Sequence, residues 1–436
     1  MSDFAIVALL IAALFFLLGT GVWIGLALTG VAWIGMQLFS PRPAGDAMAV
    51  TVWGAASSWT LTALPLFIWM GEILFRTRLS QDMFHGLAPW MNRLPGRLLH
   101  TNIIGCAIFA AVSGSSAATV ATIGKMTLPE LARRGYPDRI TVGTLAGAGT
   151  LGLLIPPSII MIVYGVSADV SISQLFIAGV LPGLLLAGLF SGYTMVWSLL
   201  HPGAIPPADS HARLLDRIRA SSSLIPVVLL IAAVLGSIYV GVATATEAAA
   251  LGVIGSLMLA AVQGTLDRRS FMAALMGATR LYCMIALILA GAAFLTLSMG
   301  YLGLPRQLAE WIGSLGLPNY GLIIALAAFF VILGCFLDGI SMVVLTMGVL
   351  LPTVTAAGID LIWFGVFIVF VVEMAQITPP VGFNLFVLQG MTNRQLTWIS
   401  MAALPMFVMM VIGVALIYAF PEIVTWLPRQ MAGPPR

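Results

Sequence analysis

The sequence predicts an all-α polytopic membrane protein made of two inverted repeats, each with a re-entrant helical hairpin and a proline-broken transmembrane helix. Three observations carry that expectation. Hydrophobic residues fill 60% of 436 positions and charged residues only 8%, too few to coat a water-soluble globule of this size. Apolar runs of about 20 residues recur along the chain with short polar breaks. A shift of 223 positions carries Pro95 onto Pro318, Pro129 onto Pro352, Pro156 and Pro157 onto Pro379 and Pro380, and Pro182 onto Pro405.

The proline register is the sharpest of the three. Proline occupies 24 positions, so six prolines in the first window should meet about one third of a match by chance. Five matches indicate a duplication. Gly135 also falls on Gly358, while most other positions differ. Backbone geometry is what the two copies share.

The elements follow in order. Phe4 to Ser40 is long enough for two spans and lacks the basic start and small-residue cleavage site of a signal peptide, so it is expected to be retained. Residues 1–50 form N-terminal scaffold spans, and 51–200 the first repeat, with a span at about 58–76, a hairpin at about 96–134 and a broken helix at about 140–166. Residues 201–280 hold a cytoplasmic loop and two connecting spans. The second repeat, 281–418, has its hairpin at about 319–357 and its broken helix at about 362–389, and 419–436 is a tail. Each hairpin segment has two apolar halves too short to cross alone, divided by "SGSSAATVATIG" in one copy and "LDGIS" in the other.

Charge orients the repeats. Arg76, Arg78, Arg93 and Arg97 precede the first hairpin, and Lys125, Arg133, Arg134 and Arg139 follow its tip. Its ends therefore face the cytoplasm. Around the second hairpin stand only Arg306 and Asp360, while Arg213, Arg217, Arg219, Arg268 and Arg269 bracket the two spans from Ser223 to Gln263. The hairpins thus enter from opposite faces, and both termini fall in the periplasm.

The breaks point to a binding site. Pro156 and Pro157 leave the carbonyls of Gly152 and Leu153 without their usual partners, which is tolerable at membrane depth only where backbone lines a polar cavity or a ligand. Freed carbonyls suit a hard cation such as sodium, and half-helix N-termini with nearby hydroxyls suit a carboxylate or sodium. The sodium expectation covers Ser115, Ser116, Gly152, Ile155, Pro156, Asp338, Gly339, Ser341, Thr378 and Pro379. The substrate expectation covers Ser113, Ser115, Ser116, Thr119 and Asn384. Asp338 suits an N-cap as well as an ion ligand, and Glu247 and Glu373, both read as intramembrane, suit ion binding or a hydrogen bond across helices.

Other chemistries lack their parts. Cys106, Cys283 and Cys335 are far apart and read as packing residues, and His85, His100, His201 and His211 lie in basic polar stretches, as solvated or interfacial groups. No phosphate-binding loop is present. Ser115 and Ser116 have no histidine in the bilayer to activate them, so an enzyme is not expected. A channel with re-entrant loops fits less well, because no filter-like loop repeats fourfold.

"SGSSAATVATIGKMTLPELARRGY", "GTLGLLIPPSIIMIVYG", "VGVATATEAAALG", "LGCFLDGISMVVLTMGVLLP" and "EMAQITPPVGFNLFVLQGM" together resemble the large membrane subunit of the tripartite ATP-independent periplasmic (TRAP) transporters, in order and over nearly the whole chain. The resemblance implies an elevator-type, sodium-driven importer of organic acids such as dicarboxylates or sialic acid, in the bacterial inner membrane. Sodium ions would be co-transported. It implies two partners, a small four-helix membrane subunit and a periplasmic substrate-binding protein, besides membrane lipid, and no nucleic acid. The small subunit is expected to be a separate chain, as in an unfused system. A channel and a proton-coupled carboxylate transporter are the alternatives.

Overall fold

The computed structural model describes residues 3–207, 214–314, 318–334, 337–379 and 382–431, and among them every regular element is helical. His211, Arg213, Cys335 and Pro380 lie outside the described residues. The first half runs α1 (Asp3–Gly19), α2 (Ile24–Phe39), α3 (Ala44–Ala56), α4 (Ala63–Phe75), α5 (Leu79–Met91), the hairpin α6 (Leu99–Ser113) and α7 (Ser116–Arg133), the broken helix α8 (Asp138–Gly149), α9 (Leu151–Leu154) and α10 (Ile159–Ala168), and α11 (Ile172–Leu200). A short α12 (Leu214–Ser221) follows.

The second half repeats that order with α13 (Ile225–Tyr239), α14 (Ala245–Val262), α15 (Arg268–Tyr301), α16 (Leu304–Ser314), the hairpin α17 (Asn319–Leu333) and α18 (Gly339–Ala356), the broken helix α19 (Leu361–Gln376) and α20 (Phe383–Thr392), α21 (Leu396–Ala419) and α22 (Glu422–Met431). Adding 223 to the starts of α1, α2, α3, α5, α6, α7, α8, α10 and α11 lands within three residues of a helix start in the second half. The shared register therefore runs past the expected repeat limits and takes in α1 and α2, which match α13 and α14. One local difference stands out. The first half bends by 50° between α3 and α4, where the second half has the continuous 34-residue α15.

Polar side chains set several helix starts. Ser115, Ser158, Asp267 and Asp360 accept from the first free N–H groups of α7, α10, α15 and α19, which have no intrahelical acceptor. Thr244 and Glu247 form a capping box at the start of α14. That corrects one expectation. Glu247 is exposed, and its carboxylate accepts from the Thr244 backbone N–H and hydroxyl at the start of its own helix and not from another helix.

Among the described residues six helices are long and apolar enough to cross a membrane, or eight if each bent pair counts as one span. Burial separates the lipid-facing helices from the core. Every residue of α19 from Trp363 to Gln376 is buried, as is every residue of α8 from Ile140 to Gly149, and a helix apolar on all sides belongs in the interior. By contrast α3 buries only Ala44, and Val50, Trp53 and Trp59 stand free on its side of the molecule. His100 is the second correction. It is fully buried, with its Nε2 2.7 Å from the Pro95 carbonyl, because the hairpin folds its basic flank under α11.

The two halves interlock. Within each half the hairpin packs on its own broken helix, α6 and α7 on α8 and α17 and α18 on α19. The second hairpin helix then crosses over: α7 packs on α20, and α18 packs on α10. Likewise α8 meets α21 and α19 meets α11. Any site at the breaks is thus lined by both halves, with α2, α4, α14 and α15 packed together beside it.

Candidate functional site

The first hairpin turns at Gly114 and restarts at Ser115, whose side chain accepts from the Ala118 N–H at 3.4 Å. Thr119 donates to the Ser115 carbonyl at 2.8 Å and lies 2.8 Å from the Ser113 hydroxyl. These hydroxyls shape the tip. The adjoining helix breaks between Leu154 and Ile159, bending by 41°.

Tip and break touch through backbone. A Cβ on Gly152 would stand 2.7 Å from both the Ser115 carbonyl oxygen and Ser116 Cα, and one on Gly114 would stand 2.9 Å from the Pro157 carbonyl oxygen. The structure therefore brings Ser115, Ser116 and Gly152 together, with Ile155 and Pro156 in the turn that follows. Glycine is needed at 152 because a side chain would push the tip away.

The second tip is built on a charge. Asp338 Oδ2 accepts from the N–H groups of Ile340 and Ser341 at 3.1 and 3.3 Å, and the Ser341 hydroxyl donates to Oδ1. Asp338 is thus an N-cap, favoured by the helix dipole. Gly339 faces α19: a Cβ there would be 2.6 Å from Val372 Cγ1 and 3.2 Å from Gln376 Nε2. Thr378, just beyond, donates to the Met374 carbonyl at 2.7 Å, and exposed Pro379 follows. The tip reaches the last turn before the break, while Asp338 and Ser341 bond to each other.

Two buried groups join the halves. The Ser116 hydroxyl donates to the Glu373 carboxylate, 257 residues away. Asn384, near the start of α20, is fully buried beside Gly149, and neither of its amide atoms has a hydrogen-bond partner among the described residues. Sequence reasoning left Glu373 undecided between two roles. The signal was there, since it is the one charged residue in the 16-residue apolar α19.

A cavity of about 630 Å³ opens away from the tips, lined by α3, α10, α15 and α18, including Thr51, Ser167, Thr296 and Gly348. It lies between α3 and α15 on one side and α10 and α18 on the other, beside the contact of α15 with α18.

The family described as "Tripartite ATP-independent periplasmic transporter, DctM component" matches residues 10–423. The chain belongs to this family. Among curated relatives, a DctM large permease of a C4-dicarboxylate TRAP transporter from Rhodobacter capsulatus is 31% identical over 446 residues, covering 99% of this chain and 100% of that one. A large permease of an ectoine/5-hydroxyectoine TRAP transporter from Ruegeria pomeroyi is 31% identical, covering 92% and 93%. The crystal structure of the YdaH transporter of Alcanivorax borkumensis is similar in fold, with a TM-score of 0.62, 14% identity and 88% of both chains covered. As a DctM-family chain, this protein is a multi-pass TRAP large permease, a transport subunit whose relatives are permeases and not enzymes.

Proposed function

We propose that this permease is the membrane transport subunit of a sodium-driven importer of organic acids in the bacterial inner membrane, working by elevator-type alternating access. The observation that carries the reading is the contact of the first hairpin tip with the first helix break, Ser115 and Ser116 against Gly152. It sets the N-terminus of α7 and the carbonyls freed by Pro156 and Pro157 side by side, donors for a carboxylate next to acceptors for a cation. Sodium is held at Ser115, Ser116, Gly152, Ile155 and Pro156 in the first copy, and at Asp338, Gly339, Ser341, Thr378 and Pro379 in the second. The substrate carboxylate lies at Ser113, Ser115, Ser116 and Thr119, with Asn384 opposite. Neighbouring opposite charges stabilise one another, and that mutual stabilisation is the coupling.

Opposite entry of the hairpins has its own support. The outer end of the first hairpin, where the Leu98 N–H meets the Tyr136 hydroxyl at 3.3 Å, adjoins the start of α8, where Asp138 pairs with Arg394. The second hairpin leads into Leu361, whose carbonyl accepts from Tyr164 at 2.7 Å. Tyr164 lies beyond the break from Asp138, on the other side. Positive-inside bias then puts the first side in the cytoplasm and both termini in the periplasm. The cavity between α3 and α15 and the hairpin body supports a sliding boundary.

C4-dicarboxylates and ectoines share a carboxylate, which favours that class for this chain. A small four-helix membrane subunit and a periplasmic binding protein complete the transporter. Uptake of radiolabelled carboxylates into proteoliposomes holding all three components, with imposed sodium or proton gradients, tests the reading. Saturable uptake driven by sodium is expected, and uptake driven by protons alone, or a non-saturating conductance, overturns it.

A further inference from the structure

A basic recess lies toward the C-terminal end of α7, away from the hairpin tip. Amphipathic α5 buries Leu79, Met83, Phe84, Leu87 and Met91 and packs on α7. Between the two helices lies a cavity of about 560 Å³, the size of a small-ligand site. Phe84 and Pro89 of α5 and Met126 and Pro129 of α7 give it an apolar lining, and Lys125, Glu130, Arg133 and Arg134 of α7 stand round it with His85 of α5.

The charges do not cancel. Glu130 Oε1 accepts from Arg133 Nη2 and from Arg134 Nε, both at 2.7 Å, so one carboxylate answers two guanidinium groups. Lys125 is exposed and has no carboxylate partner among the described residues; its Nζ stands 5.6 Å from the centre of the Phe75 ring. It lies eight residues before Arg133 on α7, about 12 Å short of the helix end, where an exposed ammonium in a membrane protein needs an anion or water. Asp82 of α5 acts on Arg78 and His85. Two interior prolines add acceptors, since Pro89 and Pro129 cannot supply the N–H that the carbonyls of His85 and Lys125 would take four residues on. The fold does not require these charges. Under the 223-residue shift His85, Lys125, Glu130, Arg133 and Arg134 fall on Leu308, Gly348, Thr353, Ala356 and Ala357, while Pro129 falls on Pro352, and α16 packs on α18 without them.

We propose that this recess binds the headgroup of an anionic phospholipid of the phosphatidylglycerol type, with its phosphodiester at Lys125 and Arg133 and its glycerol hydroxyls donating to the carbonyls of His85 and Lys125. Basic pockets between membrane helices suit such headgroups. The phosphodiester offsets the positive excess, the hydroxyls meet the carbonyls that the prolines leave short of a donor, and the first methylenes of the acyl chains lie on Phe84, Met126 and Pro129. A lipid held there touches α5 and α7 at once and fastens the amphipathic helix to the hairpin. The site needs α7 to end at a membrane surface, and it is independent of sodium, of the transported substrate and of which surface that is.

Native mass spectrometry of the delipidated full chain, with phosphatidylglycerol, phosphatidylethanolamine or phosphatidylcholine added in turn, tests the site. The recess variant is Lys125→Gln/Arg133→Gln. The exposed pair Arg268→Gln/Arg269→Gln removes equal charge elsewhere, and thermal unfolding is the folding control. The wild-type chain should hold one phosphatidylglycerol at least about tenfold more tightly than phosphatidylcholine and unfold at a higher temperature with it, since two cations act on the one phosphodiester. The recess variant should lose that preference and the Arg268/Arg269 variant should keep it. If the recess variant fails to fold, Lys125→Gln alone decides. Equal affinity for the three lipids, an unchanged preference in the recess variant, or an equal loss in the Arg268/Arg269 variant overturns the proposal. Displacement of the lipid by inorganic phosphate or glycerol phosphate overturns it as well, by making the recess a site for a soluble anion.

Discussion

Gly135 and Gly358 stand 223 residues apart and hold the same left-handed conformation, with φ of 81° and 70°, each just past the second helix of a hairpin. The bonds around them match as well. Tyr136 N–H donates to the Leu131 carbonyl at 3.0 Å, and Ile359 N–H to the Val354 carbonyl at 3.2 Å, with Gly135 and Gly358 bonding the carbonyls of Ala132 and Thr355. This is the Schellman ending of a helix, whose left-handed residue is usually glycine.

Alanine at either glycine would meet no atom within 4 Å, so its cost is conformational alone, about 1–2 kcal/mol. Gly135→Ala and Gly358→Ala should destabilise the protein by similar amounts in denaturant unfolding of the detergent-solubilised chain. A cost for one and none for the other would show that the two endings are not equivalent.

Gly152→Ala should behave differently. Its Cβ would press into the Ser115 and Ser116 backbone, and overpacking of this kind costs about 1–3 kcal/mol. The tip must move off the break. We expect sodium-dependent uptake to fall at least about tenfold at near-normal expression, since small misplacements at a site are costly. Gly192→Ala, with no atom within 4 Å on α11, is the control and should be stabilising by about 0.5–1 kcal/mol. Equal uptake in both variants would mean that the tip contact is not part of transport.

Glu247 caps the start of α14. Glu247→Gln keeps both the acceptor and the helix start, so uptake should stay within about twofold of wild type, as for a capping residue that a neutral amide can replace. A loss as large as that expected for Gly152→Ala would place this carboxylate in the transport cycle.

Single cysteines at positions 133 and 355 of a variant without Cys106, Cys283 and Cys335 read the orientation. Arg133 and Thr355 are exposed near the ends of α7 and α18, and unlike Asp360, which caps α19, neither holds a helix start. An impermeant thiol reagent added outside should label position 355 and spare 133, following the basic bias of the first hairpin's flanks. Labelling at 133 in intact cells would refute opposite entry.

The spans, the hairpin halves and both breaks were legible in the chain itself, because length, hydropathy and proline are local properties: Pro156 disrupts its helix wherever that helix lies. The family motifs and the 223-residue register were legible for the same reason. What could not be read was which side chain meets which across the fold. Glu373 and Glu247 looked alike as lone acids in apolar runs, yet one is buried against Ser116 and the other caps a helix in the open. His100 looked solvated beside its arginines and is buried. The pairing of α7 with α20 and α18 with α10 is a long-range choice, in which Gly124 makes room for Met391 and Gly339 for Ile160. Burial and partnership depend on every helix at once, so only the packed structure decides them.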